Sequence, residues 1–382
     1  MTTVLVFNRF YLPGYEAGGP IVSLANLFTA LGDTILFRLV TTDRDITDSQ
    51  QYRSVSPGVW TPVGKASVLY LAPSEISIRS IARAADQSIH VLYLNSFFDT
   101  RFTARVLLAR RLGRLPQTRL VLAPRGEFSA GALGLKSRKK YAYMAALKAS
   151  GLLAGIEWHA STPFEAEEIV SALGPDVAQK VRTAPDLGAM PDDSTITTWH
   201  PRKAGDPLRI CFLSRISPMK NLVGAINALA HMHAPAHLTV YGPVQDKAYW
   251  EECQRAAEHL PAHIGFVHSG TLPRTEIHAT LARHDAFFLP TLGENYGHVI
   301  PEALSVGLPV VISDCTPWRG LAGKGVGYDG PLDDQAFARE LDRLAGLDGD
   351  ALGAVRRACR NYARIVLTDP KSVEANRLLF RP

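Results

Sequence analysis

The sequence is poor in cysteine and lacks any apolar run long enough to cross a bilayer, which takes about 20 residues. Its four cysteines, Cys211, Cys253, Cys315 and Cys359, show no CxxC or Cys/His metal spacing. They read as ordinary buried thiols of a reducing compartment, and no metal site is expected. Met1 to Phe7 has no basic start and no small-residue cleavage site, so it reads as a first core strand rather than a signal peptide. Low-complexity tracts and short repeats are missing too. What is present, 46% hydrophobic and 20% charged residues, is the composition of a folded globular chain. At 382 residues, two domains are expected, at roughly 150 residues each.

Acidic residues are scarce in one place. Residues 101–148 hold twelve Lys and Arg against a single acid, Glu127. Residues 1–190 as a whole hold 21 basic against 15 acidic, whereas residues 191–382 hold 20 against 21. Such asymmetry points to a polyanionic partner, either anionic lipid or nucleic acid.

Short apolar runs alternate with helix-like stretches, the pattern of parallel sheets wrapped by helices, so the fold class is α/β. In the first half strands are expected at 3–8, 35–40, 67–71, 90–94, 119–123, 156–160 and 180–183. The polar, proline-punctuated stretch Pro191 to Pro207 reads as a linker. The pattern then restarts, with strands expected at 208–214, 237–241, 264–268, 286–289, 309–313 and 325–328. The resulting division is a domain at 1–190, a linker at 191–207, a second domain at 208–365, and a final helix within 366–382 packing back on the first domain.

Four segments break this pattern. Gly18-Gly19-Pro20 stands between the first strand and the next helix, where N–H groups at a helix head favour an anion. A plain loop-to-helix turn would look the same. Leu213 to Leu222 (LSRISPMKNL) leaves a strand and enters a helix, placing Arg215 and Lys220 where open α/β sheets bind ligands. Two cations there suit a diphosphate. Leu289 to Leu304 (LPTLGENYGHVIPEAL) also follows a strand and opens a helix. Its carboxylates, Glu294 and Glu302, lie eight residues apart and can accept hydroxyl hydrogen bonds from the two ends of an elongated ligand. The N–H groups of Tyr296, Gly297 and His298 would face phosphates between them. Finally, Pro124-Arg125-Gly126-Glu127-Phe128 follows the strand at 119–123, and sets Arg125 at the edge of the first sheet.

The segment GENYGHVIPEALSVGLPVVISD resembles the E-x7-E signature of family-4 retaining glycosyltransferases of the GT-B fold. FLSRISPMKNL resembles that family's donor-phosphate segment, YLPGYEAGGPIVSLANL its glycine loop, and HASTPFEAEEI the end of its first domain. The matches keep the family's order from Phe10 to about Asp329. The resemblance implies two Rossmann-like domains facing across a cleft, the first for the acceptor and the second for the donor. It implies that Glu302 holds the donor ribose, and that Glu294 binds sugar hydroxyls with Tyr296, Gly297 and His298 beside it. Arg215 and Lys220 would stabilise the departing diphosphate in place of a metal. Gly18 and Gly19 would let the first domain close on the donor. Where many relatives carry a histidine, this chain has Arg125 and resembles bacterial surface-polysaccharide enzymes. Arg125 is then expected to touch the acceptor or the donor sugar.

The activity implied is transfer of a hexose, with retention, from a UDP- or GDP-linked donor to a glycan or polyprenyl-pyrophosphate-linked acceptor. Exopolysaccharide or lipopolysaccharide synthesis is the implied setting. No cofactor beyond the donor substrate is expected. The basic helix around Lys136 to Met144 suggests a cytoplasmic protein that sits peripherally on an anionic leaflet, although a solvated helix face has the same composition. Two other functions stay open: a sugar-nucleotide epimerase of the same fold and a nucleic-acid-binding module. The first has no need of the spaced carboxylates. The second leaves the motifs of the second half unexplained.

Overall fold

In the computed structural model, residues 1–382 are described except 47, 87, 135, 136, 193–197, 204 and 382. Residues 193–197 and 204 of the expected linker, and Lys136 of the basic stretch, therefore lie outside the described residues. Contacts divide the chain into two units, Met1–Leu187 with Asp369–Pro382, and Gly188–Thr368.

The first unit runs β1 (Thr2–Phe7), α1 (Gly19–Leu31), β2 (Ile35–Thr42), β3 (Trp60–Val63), β4 (Ala66–Leu71), α2 (Ile78–Ala84), β5 (Val91–Asn95) and α3 (Arg105–Arg111). It continues with β6 (Arg119–Ala123), α4 (Ala130–Gly134), α5 (Ser137–Ala149), β7 (Ile156–Ala160), α6 (Pro163–Leu173) and β8 (Val181–Thr183). The strands lie in the order β3-β4-β2-β1-β5-β6-β7-β8. All pair in parallel except β3, which pairs antiparallel with β4. Two-residue periodicity sorts the core: Val4 and Val6 face one side of β1, Leu5 and Phe7 the other. Helix α1 lays Leu24, Leu27, Phe28 and Leu31 on the Val4 side. Helices α2, α3, α5 and α6 cover the Leu5 side.

The second unit runs β9 (Leu208–Leu213), α7 (Leu222–Ala230), β10 (Ala236–Tyr241), α8 (Lys247–Ala257), β11 (Ile264–His268), α9 (Ile277–Ala282) and β12 (Ala286–Leu289). Then follow α10 (Val299–Ser305), β13 (Val310–Ser313), β14 (Gly327–Gly330), α11 (Asp334–Ala345) and α12 (Gly349–Leu367). Its sheet is wholly parallel, in the order β11-β10-β9-β12-β13-β14. Asp246, Asp333 and Asp348 cap α8, α11 and α12 by accepting backbone N–H bonds, which explains where those helices start. Within the segment read as linker, Trp199 donates its indole N–H to the buried Asp285 at 2.9 Å, and Arg202 lies 3.2 Å from the same carboxylate.

The last helix, α13 (Pro370–Leu379), packs in the first unit beside α1. Phe380 meets Phe37 and Tyr93 edge-on at 5.6 and 5.1 Å, and Asn376 donates to the carbonyl of Pro185 at 2.7 Å. No helix among the described residues is long and apolar enough to cross a membrane.

Strand β3 was not expected. Its four residues, Trp-Thr-Pro-Val, neither alternate nor form an apolar run, and an edge strand tolerates the proline. The sequence pattern places helices at 220–231 and 297–306; Pro218–Lys220 is instead a 3-10 turn before α7, which begins at Leu222, and α10 begins at Val299.

Candidate functional site

In the second sheet β9 has β10 on one side and β12 on the other, so strand order reverses there. The loops that leave those two strands part at their carboxyl ends, which is where doubly wound sheets take ligands. Here the two loops are laced together. Asn221 adopts a left-handed φ of 55° to cap α7, and its side-chain amide donates to the carbonyl of Pro290 at 2.9 Å. The carbonyl of Met219 accepts from the Leu292 N–H and the Thr291 hydroxyl, both at 2.9 Å. Across from them the neighbouring loop needs a glycine: a Cβ at Gly242 would lie 1.9 Å from the carbonyl oxygen of Ser214.

This lacing brings Lys220 and Glu294 into a direct ion pair, with side chains only 13% and 14% exposed. Arg215, earlier on the same loop and partly exposed, has no ion-pair or hydrogen-bond partner among the described residues. The Glu294 N–H is tied to the carbonyl of Cys315 at 3.0 Å. Tyr296 is buried, and its carbonyl accepts from the indole of Trp318 at 2.6 Å. Gly297 has φ 74°, and His298 precedes α10 with its ring 4.8 Å from that of Tyr296. Glu302 stands in the first turn of α10, with a guanidinium nitrogen of Arg274 at 3.5 Å. His278 is held below its usual pKa by burial, with the Glu302 charge opposing. Arg274 and His278 escaped the sequence reading; they come from the region after β11, which carries no motif.

The first sheet has its own reversal, between β1 and β5. The loop after β1 carries Gly18 and Gly19 and is pinned along its length. The carbonyl of Arg9 accepts from the Thr42 N–H at 3.0 Å and the Thr42 hydroxyl at 2.6 Å. Asp45 accepts the N–H groups of Tyr15 and Glu16 at 2.7 and 3.1 Å. Two donors that such a loop could turn toward an anion are therefore already taken by a carboxylate. Gly18, with φ 65°, and Gly19 at the start of α1 lie just beyond the last of these ties.

Arg125 lies deep within the first unit. Its backbone is left-handed, φ 58°, which turns the side chain inward to 7% exposure. The guanidinium forms an ion pair with Asp186, donates twice to Asn95 Oδ1 at 3.1 and 3.0 Å, and donates to the Tyr93 hydroxyl at 2.9 Å. Burial disfavours its charge, but Asp186, Tyr93 and Glu165 outweigh burial and leave it firmly protonated. All of these partners lie inside the first unit. Its two successors are anchored as well. The Gly126 N–H donates to Glu165 at 2.6 Å, and Glu127 accepts from the Ser96 hydroxyl at 2.7 Å and the Phe98 N–H at 3.1 Å. Burial pushes the Glu127 carboxyl above its usual range.

Comparison with known proteins fits this geometry. Residues 194–366 match the family described as Glycosyl transferases group 1. Glycogen synthase of Mycobacterium tuberculosis (strain CDC 1551 / Oshkosh) is 29% identical over 200 residues, covering 47% of this chain and 46% of the relative. The match thus spans just under half the length of that protein. Among solved structures, Anabaena Alr3699/HepE in complex with UDP and glucose has a TM-score of 0.67 at 16% identity, covering 99% of this chain and 98% of that one. Sucrose-phosphate synthase (tll1590) from Thermosynechococcus elongatus has a TM-score of 0.72 at 15% identity, covering 100% and 98%. WaaG, a glycosyltransferase involved in lipopolysaccharide biosynthesis, has a TM-score of 0.65 at 14% identity, covering 98% and 99%. At these identities the likeness shows the fold, two Rossmann-like α/β units of the GT-B type. The laced loops at β9 and β12 fall inside the region that matches the Glycosyl transferases group 1 family.

Proposed function

We propose that the chain transfers a hexose, with retention and without a metal, from a UDP- or GDP-linked sugar to a glycan or lipid-linked acceptor. The observation that carries this reading is the Lys220–Glu294 pair at the strand reversal of the second sheet. A cation suited to a diphosphate and a carboxylate suited to sugar hydroxyls meet at one point. Arg215 adds a second cation on the same loop. Glu302, farther along, suits the ribose. In the step proposed, the bond from the anomeric carbon to the diphosphate oxygen breaks as the acceptor oxygen bonds to that carbon on the same face. The acceptor proton passes to the departing phosphate. The protein's share is to stabilise charge gathering on the diphosphate, the task of Arg215 and Lys220.

The named relatives support the donor class: HepE has been seen with UDP, with UDP-glucose, and with UDP and glucose. WaaG supports a setting in surface polysaccharide synthesis. A peripheral position on the inner leaflet draws support from α3 and α5, which cover the same side of the first sheet. Arg111, Arg114, Arg138, Lys139 and Lys148 are exposed there, near Leu108, Leu112 and Tyr141 at 40%, 57% and 56% exposure.

The test is thermal-shift binding of UDP, GDP, ADP and their sugar conjugates without metal. One nucleotide is expected to stabilise the protein selectively, and Glu302→Ala to lose that effect. No shift with any nucleotide in folded protein would overturn the proposal.

A further inference from the structure

The turn Arg125-Gly126-Glu127 has no place in the machinery proposed for the donor, yet it is heavily braced. Its bonds reach Asn95 and Ser96 at the end of β5, Glu165 on α6, and Asp186 after β8. Two non-glycine residues with positive φ sit here, Ser96 at 136° and Arg125 at 58°. Backbone conformations of that kind persist only where surrounding structure enforces them.

The brace settles the orientation of one side chain. Asn95 is 3% exposed and ends β5, the strand beside β1 at the reversal of the first sheet. An arginine has only donors, so the Asn95 atom that receives Arg125 Nε and Nη2 must be the oxygen. The amide nitrogen is thereby turned away from Arg125, and Asn95 Nδ2 is buried with no hydrogen-bond partner among the described residues. A buried NH2 without an acceptor is a rarity that calls for a cause. Asn8 lies one residue beyond the Phe7↔Leu94 pair of β1 and β5, hence alongside Asn95, and its own Nδ2 donates to the carbonyl of Phe10.

We propose that Asn95 Nδ2 is a binding group for a neutral sugar hydroxyl of the acceptor, presented by Arg125 as a positioning residue. The charge balance of the corner favours a neutral ligand over an anion. Arg125 is already matched by Asp186, which also receives the Ser23 hydroxyl at 2.7 Å, and the other charged groups bonded to this turn are the carboxylates of Glu127 and Glu165. Across from Arg125, burial and then the Arg125 charge push the His159 pKa down to about 4, so the ring is neutral; its Nε2 then donates to the Ala184 carbonyl and its Nδ1 accepts from the Tyr93 hydroxyl. This assignment deepens the proposed transfer reaction and rests on it.

The discriminating variant is Asn95→Asp. It keeps an acceptor oxygen for Arg125 and replaces the NH2 donor by a second acceptor. The probes are methyl α- and β-glucopyranoside, galactopyranoside and mannopyranoside, with inorganic phosphate as the anionic control, all at saturating UDP. In the wild-type protein, the Asn95 side-chain amide signals in 15N NMR are expected to move with at least one glycoside and not with phosphate. The variant is expected to bind that glycoside at least about tenfold more weakly, as loss of a donor to a buried partner implies, with unchanged UDP affinity showing that it is folded. Amide signals that ignore every glycoside, or that answer phosphate, overturn the inference. So does a variant with wild-type glycoside affinity. Should UDP itself fail to bind, the proposed reaction falls first; should UDP bind and Asn95 stay silent, only this inference falls.

Discussion

Both units carry a strand reversal beside their first strand, and the two use charge in opposite ways there. In the first unit Arg125, Asp186, Glu165, Glu127 and Asp45 turn inward and hold loops to one another or to backbone. In the second, Lys220 and Glu294 pair only across two loops, Arg274 stands loosely by Glu302, and Arg215 has no partner among the described residues. A buried charge that already has its partners is scaffold. A charge held by one replaceable neighbour can exchange that neighbour for a ligand. The same fold thus shows what separates a structural ion pair from a site: the number and permanence of its partners.

The contrast can be broken at either end. The largest effect is expected in the second unit, where Lys220→Ala or Glu294→Gln should lower transfer at least about 10²- to 10³-fold, the scale of a lost transition-state contact. The variants should still be folded under assay conditions, with a smaller loss in urea midpoint than a break in the first unit causes. Near-wild-type rates for both variants would remove these residues from the reaction. In the first unit the balance should reverse. Arg125→Met takes the guanidinium away from the buried Asp186 and should cost about 3–5 kcal/mol of stability in urea unfolding, the usual result of breaking a buried pair. A cost below about 1 kcal/mol, the value of an exposed pair, would mean that the corner is wetter than its burial implies. The smallest effect concerns exposed charge. Vesicles containing anionic lipid should pellet the protein at low salt and release it at high salt, with about 1 kcal/mol lost for each of Arg138→Glu and Lys139→Glu. No pelleting at low salt would leave α5 as a solvated face.

Much of the fold was legible because its signals are local. Every strand expected from an apolar run is present, and the only one among the described residues that was not expected, β3, has no periodic pattern to read. The segment 289–304 stood out for the same reason: two carboxylates interrupt an apolar context at fixed spacing. The first-unit corner was illegible because its partners are remote in sequence. Asp186 lies 61 residues from Arg125 and Glu165 lies 39 from Gly126. No local pattern distinguishes an arginine that faces solvent from one that folds under its own loop; only the left-handed φ at Arg125 decides it. Asn95 carried no signal at all, since its meaning depends on which of its two amide atoms Arg125 claims.

The final helix has a consequence for how the molecule is made. Phe380 belongs to the apolar core that also contains Val4, Phe37 and Tyr93, while all of Gly188–Thr368 is spelled out in between. On the ribosome, the first unit keeps an open seam until the segment that carries Phe380 has been made, whereas Gly188–Thr368 is made before that segment. Of the two units, the one that begins first is completed after the one inserted within it.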